Sequence, residues 1–462
     1  MYDPGWNVDP HINSPYFIEE DFSLDPLESR ALESLLLEFM KKCRDSSGVK
    51  PDGKTLLALL LGICDKSSYP MQKNRAELLL RLAGMALSGL GVLDLLLKDD
   101  SLEEIAVLGP GLPIRVYVRN TGWLDTNCSI ASKKYAIACI NRIARHLGRR
   151  ISFASPALSA SLPDGSRLHA SISPINRSGF EITIRKFSKQ PMSLPQLALS
   201  GMLSPLSISF LWLAAAADTS ILMCGNTGSG KTTFLNSLFS CVPLCDRVVI
   251  AEETPEISIP HGHVVRLVSN EQSKISMLEL VQNSLRMRPD RVIIGEVKSR
   301  SEISALFESL QAGQARGIYA TFHSKDSREA ANRLFHAGIP SSDLSAIDLL
   351  VVLRRISVFS DAGNRPLEIR RVTEISEFTG KAGISRLFAY DPGKDALLPD
   401  LSAIKNSALF GKISANYRKS QEGLLSELFK REKWLLALLK EGACLDYASF
   451  TKSVQNEYAL GH

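Results

Sequence analysis

Ile221-Leu222-Met223-Cys224-Gly225-Asn226-Thr227-Gly228-Ser229-Gly230-Lys231-Thr232-Thr233 decides the fold of this chain. Gly225 to Thr232 fits the pattern GxxxxGK[ST] in full. An apolar strand, Ile221 to Cys224, feeds the loop, and Thr233 to Phe239 continues as a helix. The residue types follow from the chemistry. Glycines let the backbone curl so that its N–H groups point inward at phosphate oxygens. The helix N-terminus adds its dipole. Lys231 supplies a point charge to the β- and γ-phosphates, and the Thr232 hydroxyl is a Mg²⁺ ligand. Gly225, Asn226, Thr227, Gly228, Ser229, Gly230, Lys231, Thr232 and Thr233 are therefore the expected nucleotide-binding set, for ATP with Mg²⁺.

Working outward, two further apolar runs end in acid: Val248-Val249-Ile250-Ala251-Glu252-Glu253 and Arg291-Val292-Ile293-Ile294-Gly295-Glu296. Continuous apolar strands alternating with helical segments predict a parallel sheet in an α/β domain. Ligands collect at the carboxyl ends of such strands. Upstream, Leu32, Leu35, Leu36 and Phe39 repeat at helical spacing, and Leu78 to Leu97 forms a second helical block. Short β-like runs follow at Ile105 to Leu108 and Ile114 to Val118, then a helix over Lys133 to Leu147. Ala160 to Phe187 reads as a β-meander that turns at Pro163-Asp164-Gly165. Pro191, Pro195 and Pro205 mark a boundary. The tail Gly423 to Leu439 is amphipathic and reads as a packed helix in preference to an interaction surface.

Composition bounds the rest. The chain has 462 residues, 45% hydrophobic and 22% charged, which excludes a wholly disordered, collagenous or coiled-coil chain. At about 150 residues per domain that is room for roughly three domains. A net charge of +5 over this length, with no dense basic stripe, argues against nucleic acid as a partner and against a ring helicase. Eight scattered cysteines without a CxxC pair argue against structural zinc and fit reduced thiols in a cytoplasm; Cys241 and Cys245 read as ordinary small apolar residues. Met1 to Pro10 carries no signal-peptide apolar region. Leu56 to Cys64 and Leu206 to Ala217 are too short to span a membrane, so any membrane role is expected to be peripheral.

Arg286-Met287-Arg288-Pro289-Asp290-Arg291-Val292-Ile293-Ile294-Gly295-Glu296-Val297 resembles the Walker B region of the secretion ATPase superfamily. That superfamily drives type II secretion, type IV secretion, type IV pili and the archaeal motility filament. Ala251-Glu252-Glu253-Thr254-Pro255-Glu256-Ile257 resembles its Asp box, and Thr321-Phe322-His323 its His box. Ser161-Leu162-Pro163-Asp164-Gly165-Ser166-Arg167, Ile182-Thr183-Ile184-Arg185-Lys186-Phe187 and the run Asp94 to Ile105 resemble its N-terminal domain. The likeness is firm over Leu93 to Leu353, and Thr254 to Pro260 resembles the archaeal branch. Three departures stand out: Glu253 where aspartate is usual, Lys298 where arginine is frequent, and Gln314-Ala315-Arg316-Gly317 where the His box opens with Gly-His.

The resemblance implies an α/β fold: a RecA-like P-loop NTPase domain with a mostly parallel sheet, preceded by a smaller α+β domain. The expected boundaries are a largely helical extension over 1–92, an α+β (PAS-like) domain over 93–190, a linker over 191–205 and the ATPase domain with a helical tail over 206–462. Glu252 is expected to orient or activate the attacking water, with Glu253 beside it. Glu296 is expected to hold Mg²⁺, directly or through water. His323 is expected to sense the γ-phosphate or relay to a neighbouring site. Arg167 and Arg185 would reach nucleotide phosphates from the N-terminal domain, a role that suits the planar guanidinium. Arg286 and Arg288 would serve in cis or at a subunit contact. The expected function is Mg²⁺-dependent ATP hydrolysis by a homo-oligomer, a hexamer, at the inner face of the cell membrane. It would power filament assembly or protein secretion through an integral-membrane platform protein. A conjugation or DNA-uptake motor and a non-hydrolysing nucleotide-gated scaffold are the alternatives.

Overall fold

The computed structural model describes residues 6–8, 14–18, 22, 24–45, 51–67, 71–87, 90–119, 121–145, 148–162, 164–186, 191–269, 274–359, 367–379, 383–443 and 445–459. Pro163 and Phe187 of the quoted motifs, Cys444 and most of the first 13 residues lie outside them. The chain divides into two compact units, Met1–Ser188 and Lys189–His462.

The first unit opens with β1 (Trp6–Val8) and the helices α1 (Pro26–Asp45), α2 (Gly53–Ser67), α3 (Lys73–Leu87) and α4 (Leu93–Lys98). Strands β2 (Leu102–Val107), β3 (Pro113–Val118) and β4 (Gly122–Ile130) follow, then α5 (Lys133–Arg145), β5 (Ala157–Ser161), β6 (Arg167–Ile172) and β7 (Phe180–Arg185). The seven strands form one antiparallel sheet in the order β1-β4-β3-β2-β7-β6-β5. The meander expected from Ala160 is β5-β6-β7. One apolar core joins the helices to the sheet: Leu32, Leu35 and Phe39 of α1 share it with Leu56 and Leu60 of α2, Leu79 and Leu82 of α3, and Ile105, Ile140 and Ile184. Leu56 and Leu60 of the Leu56 to Cys64 run thus form the inner stripe of a short helix, while Leu57 and Leu61 are exposed.

The second unit starts with α6 (Leu194–Leu199) and α7 (Pro205–Ala216). Pro195 and Pro205 stand in the first turns of these helices, behind Ser193 and Ser204, which cap them with reciprocal capping boxes. Proline suits that position because its missing N–H has no helical partner there. β8 (Ile221–Gly225), α8 (Lys231–Leu238), β9 (Val248–Glu252) and β10 (Val264–Val268) come next. They are followed by α9 (Met277–Leu285), β11 (Arg291–Val297), α10 (Arg300–Ala312), β12 (Gly317–Phe322), α11 (Ser327–His336) and β13 (Leu349–Val358). β14 (Leu367–Thr379), β15 (Gly383–Asp391), β16 (Ala396–Pro399) and the helices α12 (Leu401–Asn406), α13 (Ala408–Tyr417), α14 (Gln421–Glu441) and α15 (Tyr447–Ala459) complete it.

The large sheet runs β10-β9-β11-β12-β8-β13-β14-β15-β16. The first six strands are parallel and the last three pair antiparallel. The strand that feeds the glycine-rich loop, β8, lies between β12 and β13, and β12 separates it from β11. The inner strands β8, β9, β11 and β12 are largely apolar on both sides because both faces are covered, whereas the edge strand β10 is only partly buried and carries Arg266. Ile221, Met223, Val248, Ile250 and Ile293 face one core, which includes α7; Leu222, Val292, Ile294 and Ala320 face another, which includes α9, α10 and α11. α7 is buried on every side from Leu206 to Ala215, the pattern of a core helix. Among the described residues no helix is long and apolar enough to cross a membrane. α14 buries Leu424, Leu428 and Leu435 in the same core, so the tail is a packed helix.

Candidate functional site

Parallel strands deliver their carboxyl ends to one edge of the sheet. The carboxyl ends of β8, β9, β11 and β12 therefore meet there: Lys231 opens α8 after the β8 loop, Glu252 and Glu296 lie at the ends of β9 and β11, and His323 follows β12.

The loop after β8 has the form its sequence demands. Gly228 and Gly230 sit at φ +75° and +95°, where a side chain is strained. A Cβ on Gly225 would lie 2.4 Å from the Leu353 carbonyl oxygen and 2.5 Å from Ser229 Oγ, so no other residue fits. α8 begins at Gly230 with no side-chain cap on its first N–H groups. Ser229 Oγ is buried without a hydrogen-bond partner. An uncapped helix start and an orphaned hydroxyl beside a loop of positive-φ glycines fit a bound polyphosphate. Lys231 is 8% exposed, and its Nζ donates to the carbonyls of Gly225 (2.8 Å) and Asn226 (3.1 Å).

Thr232 Oγ1 lies 3.4 Å from Glu256 Oε2. A hydroxyl and a carboxylate are hard oxygen donors, the kind Mg²⁺ takes, and one or two of them with phosphate oxygens suffice. The sequence reading paired Thr232 with Glu296 at the metal and gave Glu256 no role. The signal was its place four residues beyond Glu252, on the loop that folds back over α8. Asn236 of α8 fastens that loop: its Nδ2 donates to the Glu256 carbonyl (3.4 Å), and its Oδ1 accepts from Ser258 N (3.0 Å).

Glu252 ends β9 and is 3% exposed. Its Oε1 accepts from the N–H groups of Glu256 (2.8 Å) and Ile257 (2.9 Å), and Arg266 Nη1 is 4.0 Å from Oε2. Burial pushes its carboxyl above the usual range, against the pull of those two amides. Glu253 points the other way and is half exposed, bound by Lys298 Nζ at 2.6 Å. The same ammonium lies 3.1 Å from Glu296 Oε2, and His323 Nε2 contacts Glu296 Oε1. Burial raises the Glu296 carboxyl, but Lys298 and His323 outweigh it and hold it below the usual range. Two of the departures in sequence thus touch: the longer acid at 253 reaches the lysine at 298.

Gly295 lets these strands approach. A Cβ there would lie 3.1 Å from Glu252 Cγ. Thr321 Oγ1 donates to the Gly295 carbonyl at 2.6 Å, which ties the end of β12 to the end of β11 and sets His323 beside Glu296. Arg333 of α11 donates to the His323 carbonyl and lies over the Phe322 ring, 5.0 Å from its centroid.

The arginines distribute differently. Arg286 and Arg288 precede β11, at the opposite end of that strand from Glu296, so within this unit they do not join the site. Arg167 and Arg185 belong to the first unit, where they face each other in register across β6 and β7, with Glu104 of β2 opposite Arg185. The sequence reading missed two arginines on β13 and β14. Arg370 Nε donates to the Gly228 carbonyl at 3.0 Å, and Arg355 stands directly across the ladder from Arg370.

The fold and the loop define a P-loop nucleotide-binding protein. The family model for type II/IV secretion system proteins matches residues 124–390, more than half of the chain, and the chain belongs to that family. An uncharacterised protein of Methanocaldococcus jannaschii is 38% identical over 235 residues, 48% of this chain and 32% of that one. A second from the same organism is 32% identical over 320 residues, 67% of this chain and 57% of that one. The chain thus spans between a third and three fifths of these archaeal relatives. The type IV secretion system protein VirB11 of Bartonella quintana is 28% identical over 267 residues, 49% of this chain and 74% of VirB11. Among solved structures, the pilus retraction motor PilT with bound ADP aligns at 17% identity and TM-score 0.47, covering 75% of this chain and 94% of PilT.

Proposed function

We propose that this chain is a Mg²⁺-dependent ATPase that works as a hexameric motor at the inner face of the cell membrane. It would drive assembly of a pilus-like filament, or protein secretion, through an integral-membrane platform protein. The observation that supports this best is the meeting at one sheet edge of a loop shaped for polyphosphate, a Thr232–Glu256 oxygen pair and two strand-end carboxylates in opposite electrostatic settings.

The roles follow from those settings. Lys231 and the inward N–H groups of the loop bind and orient the β- and γ-phosphates. Thr232 and Glu256 would hold Mg²⁺, which supplies charge to the phosphate oxygens when bound. Glu252, buried and raised, suits accepting a proton from water; it is the proposed base, with its Oε1 fixed by two amides. Glu296 stays ionised between Lys298 and His323, and orients groups near the transferred phosphoryl. Positioning and electrostatics are the main contributions such a reaction asks of a protein. A conjugation motor is the second reading, because relatives include a putative conjugal transfer protein of Mycobacterium tuberculosis, 28% identical over 273 residues.

The test is phosphate release with Mg²⁺ as a function of protein concentration, beside Lys231→Ala. Turnover per chain that rises with concentration and vanishes in the variant supports an oligomeric motor. ATP binding without turnover at any concentration, with or without membranes carrying a platform protein, moves the reading to a nucleotide-gated scaffold.

A further inference from the structure

Like charges directly opposite each other on paired strands destabilise a sheet. β13 and β14 nevertheless set Arg354-Arg355 against Arg371-Arg370, register partner to register partner. Arg371 is answered by Asp395, with both carboxylate oxygens at 2.7 Å. Arg355 has Glu368 at 3.6 Å and is nearly half exposed. Arg370 turns to the glycine-rich loop and donates from Nε to the Gly228 carbonyl at 3.0 Å. Both side chains crowd the same loop residues. A Cβ on Gly228 would lie 3.5 Å from Arg355 Nη1, and one on Gly230 would lie 3.8 Å from Arg370 Cδ.

We propose that Arg370 is a positioning residue for the phosphate loop and that Arg355 beside it adds to the positive field the loop presents to a nucleoside di- or triphosphate. The inference rests on the reading of this loop as a nucleotide site. Its geometry is that of a brace. The N–H groups that bind phosphate point into the loop, so a carbonyl that points out needs a donor on the outer side. Arg370 supplies one, and the guanidinium keeps its charge at every working pH.

The test uses the full chain and a fluorescent ADP analogue, with unlabelled ATP and AMP as competitors, at low and high salt. Arg370→Gln is expected to weaken ADP and ATP binding about tenfold, and Arg370→Lys to restore part of it, since charge-assisted hydrogen bonds are the strong ones. Arg355→Gln is expected to weaken binding about threefold at low salt, with the difference shrinking at high salt. A structural role alone would leave the salt dependence unmoved. Arg370→Gln binding ADP within twofold of the natural chain, while Lys231→Ala abolishes binding, overturns this inference alone. A natural chain that binds neither ADP nor ATP overturns the nucleotide reading together with it.

Discussion

The six parallel strands of the large sheet carry ion networks at both ends, and the two networks are built differently. At the amino end Arg291 is fully buried. Its Nε donates to Asp246 Oδ2 at 2.8 Å, and its Nη1 to the Ala217 carbonyl at 2.9 Å. Arg316 joins Asp246 to Asp218 from the surface, at 3.2 and 2.8 Å. Gly317 makes room, since a Cβ there would lie 2.9 Å from Arg291 Nη1. At the carboxyl end Glu253, Lys298, Glu296 and His323 form a chain that is one third to one half open to solvent. Charge alone does not mark a site. The amino end pairs its buried guanidinium with a carboxylate and a carbonyl of its own, although Arg291 Nη2 has no hydrogen bond, whereas the carboxyl end keeps a lysine on loop carbonyls and a hydroxyl without a partner beside a glycine-rich loop, both suited to an incoming anion.

The comparison breaks most sharply at Asp246. Asp246→Ala leaves the Arg291 guanidinium buried without its carboxylate and should cost about 3–5 kcal/mol of stability, read as a fall in the denaturant midpoint of the second unit. At the other end Lys231→Ala should remove phosphate release, a loss of at least about 10²–10³-fold, while shifting the denaturation midpoint far less than Asp246→Ala does. Unfolding of that variant instead would make the carboxyl end structural as well. Glu296→Gln should likewise lower turnover by about 10²-fold while ATP still binds.

His261 offers a smaller test at the amino end. It is buried against Phe239 with Nε2 near the Pro243 carbonyl, and burial is the main cause that lowers its pKa from 6.5 to about 4. The unfolded chain therefore takes up a proton that the folded one refuses. This contribution is complete above about pH 6.5 and is lost as pH falls toward 4, by at most about 3 kcal/mol. His261→Gln should flatten the pH dependence of the melting temperature over that window. The least effect belongs to Glu253→Asp with Lys298→Arg. That exchange restores the family pattern in a half-exposed pair, so it should move stability by less than about 1 kcal/mol and turnover by only a few-fold.

The carboxyl end was legible in sequence because it is local. The loop glycines, Lys231, and the acids after Val248-Val249-Ile250 and Val292-Ile293-Ile294 each declare themselves within ten residues. Their strand neighbours followed from apolar runs covered on both faces. Contacts across long sequence intervals were not legible. Glu256 meets Thr232 because its loop folds back over α8, and Arg370 meets Gly228 because β14 returns beside β13. The amino-end network was invisible for the same reason: Arg291 joins residues 45 and 74 positions away. Pro195 and Pro205 suggested a linker, yet they initiate helices, since proline serves both uses and only the serine before each distinguishes them.

α7 has one further meaning. Its Trp212 lies under the Arg431 guanidinium of α14, 4.3 Å from the ring centroid, and its Nε1 donates to Tyr458 Oη of α15 at 2.8 Å. α14 and α15 therefore act as a waterproof seal over a helix that is buried on every side. A chain shortened ahead of α14 would bare that helix to solvent and clump before any question of activity arose.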